Sequence, residues 1–395
     1  MLKSAVGYST NPDSFTRGLE CATKTIKDEK NVSCSFLFTS SNSEISKLVK
    51  GIQSINNSPI IGCTSSGGII VPDGYITSRT GFSGMLSLID DNMSVGLACH
   101  EAGRNPRVIG RKVAISAIES AKKTYAPSYF YMVANPKEEE EYLMGIQDII
   151  GRVPMFGGSA ADDTISGTWK IICNNEVLSN GVAVAFFYTE KEFINTLTGG
   201  YKETENRGLI TKVKNQRTLV SIDGISALKK YAHWIQVSPN SLIGSNLLIS
   251  SITKPLGIKD PLGNITVIRQ PIFGNDMGTK TTSDDTITLG NKVVEGTAII
   301  QCEATIDDLI NSTGTAIRNL KKRLYAEPAA YILIHSGGRR LGIGSRITEV
   351  HKQILKETKM VPFIMPFSFG EYGYNEHSAN ICGGLMLSFT VFGKE

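Results

Sequence analysis

The stretch GFSGMLSLIDDNMSVGLACHE, residues 81–101, decides the fold class of this chain. It reads as two strands joined by Asp90-Asp91-Asn92, a hairpin. Upstream the pattern alternates instead. Phe15, Leu19, Ala22 and Ile26 recur at helical spacing, CSFLFT (34–39) is a strand, and Ile45, Leu48, Val49, Ile52 and Ile55 mark a second amphipathic helix. Alternation alone would build one parallel, doubly wound sheet. A hairpin in its midst predicts mixed sheets with packed helices. The mixture continues downstream: a helix around Val113, Ala117 and Ala121, then the strands SYFYMVA (128–134) and GVAVAFFY (181–188).

The second half has the same character. The helix SALKKYAHWI (226–235) precedes the strands NITVIRQPIF (264–273) and EGTAIIQCEA (295–304). A helix then opens at Thr305, an N-cap, with Asp307 and Asp308 in its first turn. AAYILIHSGGRR (329–340), the helix SRITEVHKQILKE (345–357) and the strands PFIMPFSFGEYG (362–373) and GGLMLSFTVF (383–392) close the chain. The expected fold is α/β, with two lobes of mixed β-sheets and packed helices. The division falls at 1–215 and 216–395, the lobes meeting near 200–240, and SPNSLIGSN (238–246) is a further boundary-like loop. No repeat of solenoid length is visible.

Of the 395 residues, 41% are hydrophobic and 20% charged, a globular composition, and the net charge is only +4. The one dense basic run, RNLKKR (318–323), sits at a helix end, so nucleic-acid binding is not expected. MLKSAVGYST lacks the apolar region of a signal peptide, and no stretch reaches the length of a membrane span. Seven cysteines without a C-x-x-C pair point to a reducing compartment and a cytoplasmic location, with neither a disulfide framework nor a metal site.

Several glycine-rich loops invite a site. IIGCTSSGGII (60–70) lacks the lysine and spacing of a Walker loop, and GRRLGIG (338–344) is not a dinucleotide fingerprint. VPMFGGSAADD (153–163) is a second such loop. In IHSGGRR (334–340), Ser336 stands outside G-x-S-x-G and its neighbour His335 should face the other way along a strand. Arg339 suits a bidentate grip on a carboxylate or phosphate. Glu371 in SFGEYGYNEHSAN (368–380) can accept from a cation or pair with Arg339, and His377 shares its loop. His233 lies among aromatic residues, as a haem ligand would.

The loops IIGCTSSGGI, FGGSAADD, SNGVAVAFF, ILIHSGGRR and PFSFGEYGYNEHSAN, with the long TGGYKETENRGLITKVKNQRTLVSIDGISALKKY, occur in an order that resembles the FIST sensory-domain family over about residues 30–390. The resemblance implies a FIST N-like domain (1–215) and a FIST C-like domain (216–395) in a stand-alone chain. The family's Ser-Cys-x-Gly-Arg motif aligns with His335 to Arg339, placing Ser336 where cysteine is usual. It further implies a non-catalytic cytoplasmic sensor in signal transduction, needing no cofactor. Its ligand would be small and polar, such as an amino acid, and its partner a separate signalling protein such as a histidine kinase. The expected ligand-binding residues are Ser65, Ser66, Gly158, Ser159, Ser336, Gly337, Gly338, Arg339, Glu371 and His377. Two rivals stay open. One is a haem-based nitric-oxide sensor regulating a histidine kinase, with His233 on the iron. The other is a serine hydrolase-like enzyme using Ser336 with His335 or His377.

Overall fold

The computed structural model describes every residue except 261, 264–265, 276–284 and 375–378. Its core is one topology used three times. The first series runs β1 (Lys3–Ser9), α1 (Ser14–Thr25), β2 (Val32–Thr39), α2 (Ile45–Gln53), β3 (Ile60–Thr64), a small hairpin of β4 (Ile69–Val71) and β5 (Gly74–Ile76), and β6 (Ser83–Ile89). The second runs β7 (Ser94–Glu101), α3 (Pro106–Ser120), β8 (Tyr129–Ala134), α4 (Glu139–Ile150), β9 (Met155–Ser159), the hairpin β10 (Ile171–Cys173) and β11 (Glu176–Leu178), and β12 (Gly181–Tyr188). The third begins with β13 (Phe193–Thr198). After an insertion it continues with α7 (Ile306–Arg323), β22 (Pro328–Ser336), α8 (Gly337–Ile343), α9 (Ile347–Thr358), β23 (Phe363–Ser368), the hairpin β24 (Glu371–Tyr374) and β25 (Asn380–Gly383), and β26 (Leu387–Gly393).

In each series the last strand lies antiparallel between the first and second strands. The second is parallel to the third. The small hairpin does not join its own sheet. It is passed round the ring: β10–β11 pairs with β3, β24–β25 with β9, and β4–β5 with β23. The inner faces of all three sheets share one core, including Phe36, Tyr131, Phe156, Phe187, Ile332 and Phe392. The outer face of each is sealed by its own helices.

The mixed sheets agree with the expectation, but the stretch that suggested them does something else. Residues 83–89 and 94–101 are both strands, yet they are not a hairpin. β6 pairs with β1 and β2, whereas β7 pairs with β12 in the next sheet. Each half of the stretch is apolar enough to bury in a separate sheet. The link between them is tied to the first repeat by Asp90 N–H donating to Asn31 O. GGS in 157–159 is strand rather than loop. A Cβ on Gly157 would lie 1.9 Å from Met132 O, so glycine lets β9 pack on β8 there.

The insertion in the third repeat is a lobe of its own. It holds β14 (Lys202–Lys214), β15 (Thr218–Ile222), β16 (Ile225–Ser226), α5 (Ala227–Ile235), α6 (Asn246–Thr253), β17 (Leu256–Lys259), β18 (Thr266–Arg269), β19 (Pro271–Asn275), β20 (Thr286–Leu289) and β21 (Ala298–Glu303) in an antiparallel sheet. The expected division at 215/216 falls in the turn between β14 and β15, inside a hairpin. The lobe docks on α4 through Arg217 to Glu140 (2.6 Å), Lys292 to Glu141 (2.8 Å) and Asn291 to Glu139 (3.3 Å).

Candidate functional site

The loops singled out in the sequence do converge. Each parallel strand pair ends at one place, in Thr39 and Thr64, Ala134 and Ser159, and Ser336 and Ser368. Backbone hydrogen bonds then run round the ring: Ala161 N–H to Thr64 O, Ser66 N–H to Phe367 O and Phe369 N–H to Ser159 O. The loops meet each other rather than an open cleft. Ser65, Ser66, Ser159, Ser336, Arg339 and Glu371 are all at most 5% exposed, Gly158 and Gly337 are buried, and Gly338 is half-buried. Ser65 Oγ donates to Gly68 O and accepts from Phe367 N–H. Ser159 Oγ bonds Tyr372 Oη. His377 lies outside the described residues.

In HSGGRR a strand passes directly into a helix. Ser336 ends β22 and Gly337 starts a helix. The buried His335 ring points its Nδ1 at Ser336 O (3.0 Å), not at the hydroxyl, and its Nε2 has no partner among the described residues. Burial holds its pKa well below the usual range, so the ring is neutral. Arg339 and Glu371 form no ion pair with each other among the described residues, and each has its own partners. Arg339 donates to Gly199 O, to Leu309 O (2.9 Å) and to Ser312 Oγ (2.6 Å), and lies over the Tyr201 ring. Glu371 accepts from Ser368 Oγ and Met386 N–H, both at 2.8 Å, and burial pushes its carboxyl up to about 8. The expected grip of Arg339 on a ligand is therefore replaced by a grip on the chain. Arginine buries there because its planar fork meets three acceptors at once.

The first repeat has the same niche, at the ends of β1 and β2 and the start of α1. Arg17, 1% exposed, fills it and donates to Asn11 O (2.8 Å), Thr80 O (3.3 Å), Ser14 Oγ (3.1 Å) and Ser43 Oγ (2.7 Å). The second repeat differs. There the corresponding place is an open cleft of about 600 Å³. Ala102, Gly103, Arg104 and Pro106 line it after β7, Asn135 to Glu138 line it after β8, and Asn180 lines it before β12. Glu141 and Tyr142 of α4, Trp169, and Lys292 from the inserted lobe complete the wall.

Asn135 holds the floor in shape, accepting from Gly181 N–H (2.7 Å) and donating to Pro136 O (2.9 Å). The Tyr142 hydroxyl and Trp169 Nε1 have no partner among the described residues. Burial, then Glu138 and Glu139, push the Tyr142 hydroxyl up to about 12, so it stays protonated. Glu139, just behind the wall, is pushed up to about 8 by burial and neighbouring Glu140, with Arg217 opposing. The opposite face of the Trp169 environment is Phe369, whose ring meets the indole edge-on at 6.2 Å. The cleft thus abuts the ring of predicted loops without containing their side chains.

Sequence reading missed this cleft. Its one visible signal is the acidic run Glu138 to Glu141 after Asn135-Pro136, which opens a helix at a strand end. His233 does not suit a haem. It is exposed on α5, while its neighbours Tyr231 and Trp234 turn into the lobe's core, so the histidine lacks the apolar cover an axial ligand needs.

Compared with known families, residues 34–225 match the FIST N domain and residues 227–374 match the FIST C domain. No curated protein matches the chain.

Proposed function

The chain belongs to the FIST family, whose domains are sensory domains of signal transduction, and on that premise we propose that it is a non-catalytic, cytoplasmic sensor of a small polar ligand. The ligand sits in the cleft of the second repeat. The carrying observation is that this cleft lies between the three-repeat core and the inserted lobe, with unpartnered polar groups in its wall. A molecule held there touches Lys292 of the lobe and Tyr142 of the core together. Its binding free energy then depends on how the lobe sits, which is what a sensor requires. An amino acid fits the size and the mixed charge of the wall. The output passes to a separate signalling protein such as a histidine kinase. Among the described residues no helix is long and apolar enough to cross a membrane.

The hydrolase reading loses support from the ring of His335, which bonds a carbonyl instead of the Ser336 hydroxyl. The test uses the indole in the wall. Trp169 is one of two tryptophans, and the other, Trp234, is buried in the inserted lobe. A molecule identified by native mass spectrometry of the purified chain should change the fluorescence of Trp169 saturably, and Trp169→Phe should abolish the change. Binding that leaves Trp169 silent and survives Tyr142→Phe and Glu138→Gln places the ligand elsewhere and ends this reading.

A further inference from the structure

The three-fold construction says what chemistry the cleft is shaped for. We propose that the second repeat takes a guanidinium group from its ligand, where the first and third repeats supply one from the chain. This rests on the cleft being the ligand site. In the first repeat Arg17 reaches the niche from α1, and in the third Arg339 reaches it from α8. The two arginines come from different elements, yet both end on a carbonyl of the loop that follows the first strand, Asn11 O and Gly199 O. Both also take a hydroxyl from the first helix, Ser14 and Ser312. The niche therefore selects a planar multiple donor, not a particular position in the chain.

The second repeat has lost its own plug. The fourth residue of α1 is Arg17, and the fourth residue of α3 is Ile109, which lies against Gly103 at the edge of the cleft. What remains is the corresponding set of loops around an open cleft, with Ala102 N–H donating to Asn180 O. The loop 102–104 takes the place of Asn11, Asn180 that of Thr80, and Glu138 and the unpartnered Tyr142 hydroxyl flank them. Tyr142 is fully buried in the wall of this cleft, and its hydroxyl has no hydrogen-bond partner among the described residues. Lys292 is neutralised by Glu141 at 2.8 Å. Arg104 and Lys137 are exposed at the mouth and have no acidic partner among the described residues. The ligand is accordingly a guanidinium compound with an anionic group at its outer end, the guanidinium inside and the anion against Arg104 and Lys137.

The test titrates the full chain with L-arginine, with L-citrulline (the same molecule with a neutral urea in place of guanidinium) and with inorganic phosphate, read by Trp169 fluorescence and calorimetry. L-Arginine should bind saturably, and L-citrulline at least about tenfold more weakly, the loss expected when a charge-assisted donor set is replaced by a neutral one. Glu138→Gln should weaken L-arginine by a similar factor. Ile109→Arg restores the plug of the first repeat. It should abolish L-arginine binding while the circular dichroism spectrum and melting temperature hold. Equal affinity for L-citrulline, or binding of phosphate alone, overturns the guanidinium assignment and leaves the cleft as a site for another ligand. L-Arginine binding that survives Ile109→Arg overturns the assignment too, by placing the molecule outside the niche. If none of the probes binds and no co-purifying molecule responds to Trp169→Phe, the cleft itself is not the site and both readings fall.

Discussion

Replacing Arg339 with alanine separates a ligand-gripping arginine from one that braces the fold. The guanidinium is fully buried and ties the end of β13 to the first turns of α7 through Gly199 O, Leu309 O and Ser312 Oγ. Alanine leaves two carbonyls and a hydroxyl without their donor. Each buried polar group stranded in this way costs about 1–3 kcal/mol, and water entering the vacated space recovers part of it. The favourable side of the substitution is that a charge no longer has to be held out of water. The expected net loss is about 3–5 kcal/mol of unfolding free energy, the scale of breaking a buried charged network. Arg339→Lys should recover only a part, because a point charge cannot meet three divergent acceptors. The assay is urea denaturation followed by circular dichroism and by hydrogen exchange at 306–312. Guanidinium chloride is avoided, since the denaturant would itself compete for such a niche. A loss below about 1 kcal/mol, the worth of one ordinary hydrogen bond, together with impaired ligand binding, would refute the bracing role.

Burial pushes the Glu371 carboxyl up to about 8 from its ordinary 4.5, so the folded state binds more protons between those values and stability should fall as pH rises through that window. Glu371→Gln keeps an acceptor for Ser368 and should flatten the fall, read as the pH dependence of the urea midpoint; an unchanged slope would assign it to other groups. Thr305→Ala removes the side-chain half of a capping box with Asp308, leaving the Thr305 N–H bond to the Asp308 carboxylate, and should cost about 1 kcal/mol, visible as faster amide exchange in the first turn of α7. Gly157→Ala, whose Cβ would meet a backbone carbonyl, should yield no soluble protein. Gly151→Ala, with open space but φ +71° and ψ −157°, a region essentially confined to glycine, should fold with a loss of about 1–3 kcal/mol.

Local patterns were readable where local physics decides. The N-cap at Thr305 and the buried strand 181–188 both follow from residues adjacent in the chain. Strand pairing is not local. Residues 81–101 hold the right strands, but nothing in SLIDDNMS says that Ile89 will pair with Lys3 while Ser94 pairs with Tyr188. The three-fold repeat stayed hidden because it resides in pairing order rather than residue identity, and because the insertion at 199–304 breaks its period. The conspicuous glycine loops mark where backbones crowd, at Gly157 and in HSGGRR, so glycine signalled packing there rather than a ligand. The cleft escaped notice because it is defined by a missing arginine, and an isoleucine at 109 attracts no attention until Arg17 is seen in the same helical place.

The hairpins passed from repeat to repeat bear on how the chain is made. Strand β3 stays a bare edge until residues 171–178 have been synthesised, β9 until 371–383, and β23 is covered by residues 69–76 from near the start. No repeat can therefore mature alone on the ribosome. Closure is topologically interlocked, with contacts of very large sequence separation formed last and slowly. A fragment ending at any repeat boundary would expose an unpaired β edge, the feature that drives chains to aggregate.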